Sequence, residues 1–397
     1  MKILFLITGS HVTLSAVAPL VTAAQNAGHE ILLATNEPLM EAAEAIGVPT
    51  VSVLPETIRH FMTAGDPGDA PSDTPNDARA QDSQDAQDSQ AELTTTGHGL
   101  ARMAVAELDT LYRLAEDWPP DLVVGSSMSY AAGLLATRLK VPYVRHAEYL
   151  AIPVTGIDVG AEEGLRPELA RLGSARLPEP DLFIDVCPPS LRPPGAPDAQ
   201  PMRFIPRNPQ RRLKSWMYTR PVDRPRVLIT SGTHFLMLPG DSLRLLVARL
   251  TGAGAEVVIA APEEVAQRLG ALPEGVRIGW LPLDAVTPTC DLAVTHGGAT
   301  TAMTIMAAGV PQLLMPPNTH TRLIAAALTG SGAALTVTPD DHPDEDPGEL
   351  VAAGCLEILG TPGYARRARD LADEIAGLPT PAEVVGMMEN LRVSGTS

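Results

Sequence analysis

The chain has 397 residues, more than one hydrophobic core usually supports, so we expect two domains. Hydrophobic residues make up 45% of it and aromatic residues only 4%, which favours Ala/Leu/Val-rich α/β layers over an aromatic-rich β-sandwich. Of the net charge of −18, residues 66–92 carry −7 and residues 340–349 carry −6, and no basic face remains for nucleic acid or an anionic membrane.

The cysteines and the N-terminus are typical of a protein of the reducing cytoplasm. Cys187, Cys290 and Cys355 have no CxxC spacing, so neither a disulfide framework nor a zinc site is predicted. The apolar run in MKILFLITGS is too short for the core of a signal peptide. No apolar run approaches membrane-spanning length. We therefore expect a cytoplasmic protein without membrane insertion.

The first half of the chain begins as a doubly wound parallel sheet. Its strands are expected to be buried, because their apolar residues run continuously instead of alternating. Strand and helix patterns follow one another as β-α-β-α-β up to residue 53. Further elements of the same kind are predicted at residues 100–118, 121–127, 129–140, 141–149, 165–173 and 181–189.

A low-complexity acidic loop is predicted at residues 65–92. It contains the near-repeat QDSQDAQDSQ and has no apolar period, so we expect it to be mobile. It is either a lid or an inert surface insertion.

A Pro- and Arg-rich stretch then separates the halves, and the strand–helix pattern starts again at Arg226. We predict an N-terminal domain at 1–212, a linker at 213–225 and a second domain at 226–378. The last segment, 379–397, is predicted to be a helix that packs back on the N-terminal domain.

The longest motif lies at residues 291–316, DLAVTHGGATTAMTIMAAGVPQLLMP. A strand ends at Thr295, the chain turns through His296, Gly297 and Gly298, and a helix follows. A helix that begins directly after such a turn leaves backbone N–H groups unpaired, and they suit a diphosphate. Many α/β crossovers have a Gly-Gly turn for packing alone, so the motif by itself leaves both interpretations open.

Together with the preceding WLPLDAVTPTC, this motif resembles the donor site of family 1 glycosyltransferases with the GT-B fold. The resemblance covers nearly the whole chain. It is strongest to antibiotic glycosyltransferases that use deoxysugar nucleotides. The stretches PDLFIDVCPPSLRP, MRFIP and SWMYTR resemble the urdamycin/landomycin type, which acts on angucycline polyketides. The resemblance implies two Rossmann-like parallel-sheet domains that face each other across a cleft.

In that family the C-terminal half binds the sugar nucleotide. The resemblance implies that the diphosphate meets a turn and helix start, that a second strand end lies across from it, and that an aromatic residue flanks the nucleobase. The implied donor-binding residues are Ser231, Gly232, Thr233, Trp280, Leu281, His296, Gly297, Gly298, Thr300, Thr301, His320 and Thr321. Neither a cofactor nor a metal is implied.

The chain departs from the family pattern at two places. Thr300 replaces a Gly of the usual HGGxGT turn. Hexose-using members carry an Asp-Gln pair where this chain has His320 and Thr321. Without that carboxylate, a sugar that lacks some hydroxyls leaves no buried polar group unpaired. We therefore predict a 2,6-dideoxy- or 6-deoxyhexose on dTDP as the donor.

The acceptor half must supply a base. Glu148 follows a strand end, where loss of hydration raises the basicity of a carboxylate, and it is the preferred candidate. A surface carboxylate near the linker is the other interpretation. The family's catalytic His falls on Thr13, and His11 lies two residues earlier as the alternative base, with His60 weaker. The predicted acceptor-binding residues are Ser10, Thr13, Phe61, Met62, Met128 and Tyr149, and Tyr130 is a further apolar candidate.

The leading hypothesis is a metal-independent, inverting transferase that acts on aromatic polyketides. A nicotinamide enzyme is disfavoured, because ITGSHVTLSA lacks GxGxxG and the second strand ends in Thr35 and Asn36, without an acid. A non-catalytic auxiliary protein and a macrolide O-glycosyltransferase stay open. The similarity slightly favours C-glycosylation over O-glycosylation. The sequence leaves open whether the protein forms a homodimer.

Overall fold

A computed structural model describes residues 1–63, 81–148, 150, 155–208, 211–230, 238–262, 273 and 275–394. Two compact units emerge from the contacts within the chain. Unit 1 consists of Met1–Val186, Pro193–Met202 and Pro379–Ser397, and unit 2 consists of Cys187–Arg192 and Arg203–Leu378. Each unit contains one parallel sheet flanked by helices, which confirms the predicted fold class.

Within the described residues, the sheet of unit 1 has seven parallel strands in the order β3-β2-β1-β4-β5-β6-β7. The strands are β1 Lys2–Leu6, β2 Glu30–Asn36, β3 Thr50–Leu54, β4 Leu122–Ser126, β5 Tyr143–His146, β6 Leu182–Asp185 and β7 Gln200–Pro201. The helices are α1 His11–Asn26, α2 Met40–Glu44, α3 Ile58–Thr63, α4 Gln81–Asp117, α5 Tyr130–Leu139, α6 Thr155–Gly164 and α7 Arg166–Arg171. The central strands β1 and β4 are almost entirely buried, as their continuous apolar runs predict.

The described sheet of unit 2 has six parallel strands in the order β10-β9-β8-β11-β12-β13. They are β8 Arg226–Thr230, β9 Glu256–Ala260, β10 Arg277–Gly279, β11 Leu292–Thr295, β12 Gln312–Leu314 and β13 Ala334–Thr336. The helices are α8 Gly240–Gly252, α9 Leu283–Val286, α10 Ala299–Ala307, α11 Thr319–Gly330, α12 Pro347–Gly360 and α13 Pro362–Gly377.

The last helix, α14 (Pro381–Ser394), belongs to unit 1, where it packs against α1. His29, which follows α1, contacts Glu389 of α14 at 3.1 Å. In return, the short segment Cys187–Arg192 belongs to unit 2, and Ser190 binds the carboxylate of Glu374 through both its N–H and its hydroxyl.

The structure corrects the prediction of a loop over 65–92. Helix α4 begins at Gln81, so residues 81–92 are helical, while residues 64–80 lie outside the described part. Farther along α4, small residues make the contact with α6. A Cβ on Gly97 or on Gly160 would overlap the backbone of the facing helix. Apolar periodicity therefore predicted neither α6 nor the start of α4.

Three aspartates fix the strand starts, and each stands immediately before a strand. The carboxylates of Asp121, Asp181 and Asp291 accept hydrogen bonds of 2.8–2.9 Å from backbone N–H groups at the start of a neighbouring strand. These bonds anchor the N-terminal edges of both sheets. The loops that carry the candidate site lie at the opposite edges, where the strands end. Among the described helices, none is both long and apolar enough to cross a membrane.

Candidate functional site

In unit 2 the predicted donor motif lies where the order of the strands reverses. Strands β8 and β11 are neighbours, and Thr230 pairs with Thr295 at their carboxyl ends. The connections that leave these two strands run to opposite sides of the pair, since β9 lies beyond β8 and β12 beyond β11. Ligands of open parallel sheets bind in the crevice at such a switch point. Ser231, Gly232 and Thr233, which follow β8, lie outside the described residues.

The turn that follows β11 requires both of its glycines. Gly297 has φ +79°, which L side chains rarely adopt, and its N–H donates to the hydroxyl of Thr295 at 2.9 Å. A Cβ on Gly298 would overlap the imidazole of His296. Helix α10 then starts at Ala299 without a side-chain cap, so its first-turn N–H groups have no intrahelical acceptor. Together with the helix dipole, they form a site suited to an anion.

His296 and Thr300 border this turn. Burial lowers the pKa of His296, so its imidazole is neutral near pH 7 in the ligand-free protein. A charge-assisted hydrogen bond from a protonated His296 would therefore require that a bound diphosphate first raise this pKa. The hydroxyl oxygen of Thr300 is buried and has no hydrogen-bond partner among the described residues, and Thr301 is half-buried. The departure from Gly at position 300 thus adds a hydroxyl to the first turn of α10.

Trp280 and Leu281 have different environments. Trp280 is half-buried, and the guanidinium of Arg211 lies 4.3 Å from the centre of its ring. Leu281 packs into a core cluster with Met217 and Val286, so its side chain is structural. Of the two, Trp280 has the more accessible side chain for a nucleobase, and Arg211 is a neighbour that sequence reasoning did not identify.

The pair His320–Thr321 lies in the first turn of α11. The hydroxyl of Thr321 donates to the backbone carbonyl of Asn318 at 2.9 Å, and the Asn318 side chain accepts the Thr321 N–H at 3.0 Å. Thr321 is therefore a buried capping residue, and its hydroxyl already has a partner. His320 is half-buried one residue earlier.

Unit 1 has its own switch point between β1 and β4, and polar residues collect there. The hydroxyl oxygens of Thr8 and Ser129 lie 3.4 Å apart across it. Ser10 and Thr13 lie at the start of α1 with their hydroxyl oxygens also 3.4 Å apart, and Thr13 is buried. His11 is exposed beside them.

Glu148 is buried, with only 2% of its surface exposed, so the interpretation as a surface carboxylate is wrong. Its carboxylate accepts the N–H of Ser127 at 2.8 Å and the Ser127 hydroxyl at 2.5 Å. Burial raises the pKa of Glu148, and the bonds from Ser127 partly offset that rise. The Ser127 carbonyl is in turn bound by Arg145, which also pairs with Asp158 at 2.7 Å. Glu148 thus lies at the carboxyl end of the sheet, in a rigid polar setting.

Sequence reasoning missed Glu107 and His146 as candidate residues. Glu107 of α4 is completely buried, and its two carboxyl oxygens have no hydrogen-bond partner within the described residues. Burial raises its pKa to about 8. Both ring nitrogens of His146 are likewise buried without a partner there, and burial lowers its pKa to about 4. A signal for Glu107 existed, since it interrupts the apolar stripe formed by Met103, Leu108 and Leu111.

The predicted apolar acceptor-lining residues lie in or against the core of unit 1. Phe61 and Tyr130 are buried in it, and Met62 and Met128 pack against it while partly exposed. The Tyr130 hydroxyl donates to Asp158 at 2.6 Å. Tyr149 lies outside the described residues, and His60 is exposed. Of this set, Met62 and Met128 keep accessible surface for an apolar acceptor.

Both halves of the chain match the domains of one known protein family. Residues 22–232 match the N-terminal domain, and residues 244–391 the C-terminal domain, of the family described as erythromycin biosynthesis protein CIII-like. The L-demethylnoviosyl transferase of Streptomyces niveus is 36% identical over 92% of each chain.

Two solved structures have the same fold over almost the whole chain. The Streptomyces sp. SF2575 glycosyltransferase SsfS6, complexed with thymidine diphosphate, has a TM-score of 0.79 and 32% identity, and the match covers 98% of this chain and 99% of that one. The spinosyn rhamnosyltransferase SpnG, complexed with spinosyn aglycone, has a TM-score of 0.83 and 29% identity, over 98% of this chain and 100% of that one.

Proposed function

Because the chain belongs to the erythromycin biosynthesis protein CIII-like family of glycosyltransferases, we propose that it transfers a deoxyhexose from dTDP to a polyketide-type acceptor. The observation that carries the proposal is the turn His296–Gly298 at the switch point of unit 2, followed by the uncapped start of α10. Backbone N–H groups and hydroxyls there suit the departing diphosphate without a metal. The similar SsfS6 is a complex with thymidine diphosphate, which supports dTDP as the donor nucleotide.

The environment of α11 supports a deoxysugar. Its first turn has no carboxylate, and the hydroxyl of Thr321 is already bound to Asn318. A hexose with all its hydroxyls would therefore leave one hydroxyl without a hydrogen-bond acceptor there. A deoxyhexose that lacks this hydroxyl does not need one. The relatives are named as transferases of such sugars, L-demethylnoviose in one and rhamnose in another.

The donor preference is tested by measuring kcat/KM for a dTDP-2,6-dideoxyhexose and for UDP-glucose with one acceptor. We expect the dTDP donor to be preferred by at least about tenfold, the effect of a single unpaired hydrogen-bonding group. The double variant His320→Asp/Thr321→Gln serves as the matched control and should shift the ratio toward UDP-glucose. A wild-type preference for UDP-glucose refutes the donor assignment.

Glu148 is the proposed general base, at the carboxyl end of the sheet of unit 1. Its raised pKa brings a carboxylate closer to the pKa that suits proton abstraction near neutral pH. His11, exposed at the start of α1, is the alternative. Glu148→Gln should lower kcat by about a hundredfold or more with little change in KM, while His11→Ala should keep most of kcat. The reverse pattern transfers the role to His11.

The finer proposal is an aromatic, angucycline-type acceptor with a C-glycosidic product, supported by the resemblance of PDLFIDVCPPSLRP, MRFIP and SWMYTR. An O-glycoside on a macrolide-type acceptor is the second candidate, because SpnG was solved with spinosyn aglycone. Mass spectrometry after acid hydrolysis separates the two bond types, since a C-glycoside survives. If calorimetry shows dTDP binding while no polyketide is glycosylated, the chain is instead an auxiliary protein.

A further inference from the structure

Ser127 lies in the turn that follows β4, and it binds the carboxylate of Glu148 with two separate groups. Its N–H donates to one carboxyl oxygen at 2.8 Å, and its hydroxyl donates to the other oxygen at 2.5 Å. Because one residue binds both oxygens, it fixes the plane of the carboxylate as well as its position. The orientation of Glu148 therefore depends on where Ser127 lies.

Ser127 is itself held in place through its backbone. Its N–H also donates to the carbonyl of His146 at 2.8 Å, where the pairing of β4 with β5 ends. Its carbonyl accepts two hydrogen bonds from the guanidinium of Arg145, from Nη2 at 2.7 Å and from Nε at 3.2 Å. Ser127 is thus bound at its N–H, its carbonyl and its hydroxyl, as a group that supports a functional side chain should be.

Arg145 holds Ser127 without pairing with Glu148. Its charge is balanced by Asp158 of α6, whose carboxyl oxygen lies 2.7 Å from Nη2, and the Tyr130 hydroxyl donates to the same oxygen at 2.6 Å. Within the described residues, no ion pair joins Arg145 to Glu148. Such a pair would favour the ionised form of Glu148 and make it a weaker base. Asp158 therefore lets a cation fix the main chain while Glu148 keeps its basicity.

We propose that Ser127 is a positioning residue for Glu148, and that Arg145 and Asp158 position Ser127 in turn. The proposal rests on the proposed function, in which Glu148 removes the proton of the acceptor. A general base must lie within hydrogen-bond reach of that proton, and a misplacement of about 1 Å can cost about a hundredfold in rate. Arg145 and Asp158 act on Glu148 only through Ser127.

The first test compares Ser127→Ala with Ser127→Thr, each checked for folding by circular dichroism. Ser127→Ala removes the hydroxyl, so kcat should fall about tenfold at unchanged KM, the effect of one hydrogen bond to a charged group. Ser127→Thr keeps the hydroxyl and should retain most of kcat. An unchanged kcat in Ser127→Ala overturns the positioning role, and so does an equal loss in the two variants.

Ser242→Ala is the matched control for the loss of a serine hydroxyl. Ser242 of α8 also donates its hydroxyl to a carboxylate, that of Asp346, at 3.1 Å. It lies in unit 2 and has no part in the proposed chemistry, so Ser242→Ala should keep the wild-type kcat. If Ser242→Ala loses as much kcat as Ser127→Ala, the loss is a general effect of stability and the positioning role is refuted.

The second test asks whether Ser127 and Arg145 act through Glu148. Ser127→Ala should have no further effect on kcat when it is combined with Glu148→Gln, because no base is then left to position. Arg145→Met keeps the apolar stem of the side chain, and it should lower kcat about tenfold alone and not at all beside Glu148→Gln. Losses that multiply in the double variants overturn the proposal, since a purely structural role does not depend on Glu148.

The positioning role and the proposed function fail in different ways. If Glu148→Gln loses kcat while Ser127→Ala and Arg145→Met keep it, Glu148 remains the base and only the positioning role is wrong. If Glu148→Gln keeps the wild-type kcat, Glu148 is not the base, and the positioning role is wrong with it. A wild type without turnover refutes the proposed function as a whole.

Discussion

At the scale of single residues, the imidazole of His296 shows how the backbone positions a candidate ligand group. The ring lies directly over Gly298, where a Cβ would overlap it, and Gly297 supplies the left-handed turn. Burial lowers the pKa of His296, so the ring is neutral near pH 7. The glycines thus let a side chain and first-turn N–H groups reach the same small volume.

Gly298→Ala tests this arrangement. The added methyl group should displace the imidazole from the turn, so we expect the Kd for dTDP to rise about tenfold, the loss of one hydrogen bond to a charged group. Calorimetry with dTDP measures this Kd. Gly252→Ala is the control, because a Cβ there meets nothing within 4 Å. Equal affinities in the two variants contradict the placement of the diphosphate.

The buried carboxyl of Glu107 leads to a prediction about how the unfolding free energy depends on pH. Burial raises the pKa of Glu107 from its ordinary value of 4.5 to about 8, so its contribution to stability is fully present below pH 4.5 and is lost as the pH rises from there to about 8. Relative to Glu107→Gln, the wild type should lose on the order of 1 kcal/mol of unfolding free energy per pH unit in that window. Urea unfolding at pH 5 and pH 8 measures this difference. Because Glu148 titrates in both proteins, a constant difference would mean that the Glu107 pKa is not raised.

At the scale of elements, α4 and α6 are held together by small residues. Gly156, Gly160 and Gly164 recur every fourth position on α6, so they form one face of that helix. They lie against Gln90, Thr94 and Ala101 of α4. The small residues thus let the backbones of the two helices approach each other closely.

Gly160→Ala should therefore destabilise the fold, because the added Cβ overlaps the carbonyl of Thr94. Overpacking of this kind costs about 1–3 kcal/mol. Chemical denaturation measures it, again beside Gly252→Ala, which should be neutral or slightly stabilising. A Gly160→Ala protein as stable as the wild type would show that the two helices do not need their close contact.

At the scale of the whole molecule, the same architectural rule applies in both units. Each sheet is parallel, and each has its strand order reversed beside its first strand, at β1/β4 in unit 1 and β8/β11 in unit 2. One switch point presents an uncapped helix start, and the other presents the buried hydroxyls of Thr8, Ser126 and Ser129. The two units therefore collect polar groups at the same point of one topology.

Binding of dTDP should raise the unfolding temperature of the whole protein. At a concentration of 100 Kd, the expected stabilisation is about 2.7 kcal/mol. Because the proposed site uses backbone N–H groups and hydroxyls, the shift should be the same with EDTA and with Mg²⁺. Calorimetric melting curves measure it. A shift that appears only with Mg²⁺ would contradict metal-independent binding.

The sequence by itself determined the two parallel-sheet halves and the glycine turn with its diphosphate-suited helix. Strand runs, helix periods and Gly-Gly turns are local patterns, and residues close along the chain decide them. Only the tertiary structure decided that Glu148 is buried, that the Thr321 hydroxyl caps its own helix, and that the carboxyl of Glu107 is buried without a hydrogen-bond partner among the described residues. Burial and hydrogen-bond partners depend on residues far apart in sequence, such as Thr8 and Ser129, so no local pattern records them.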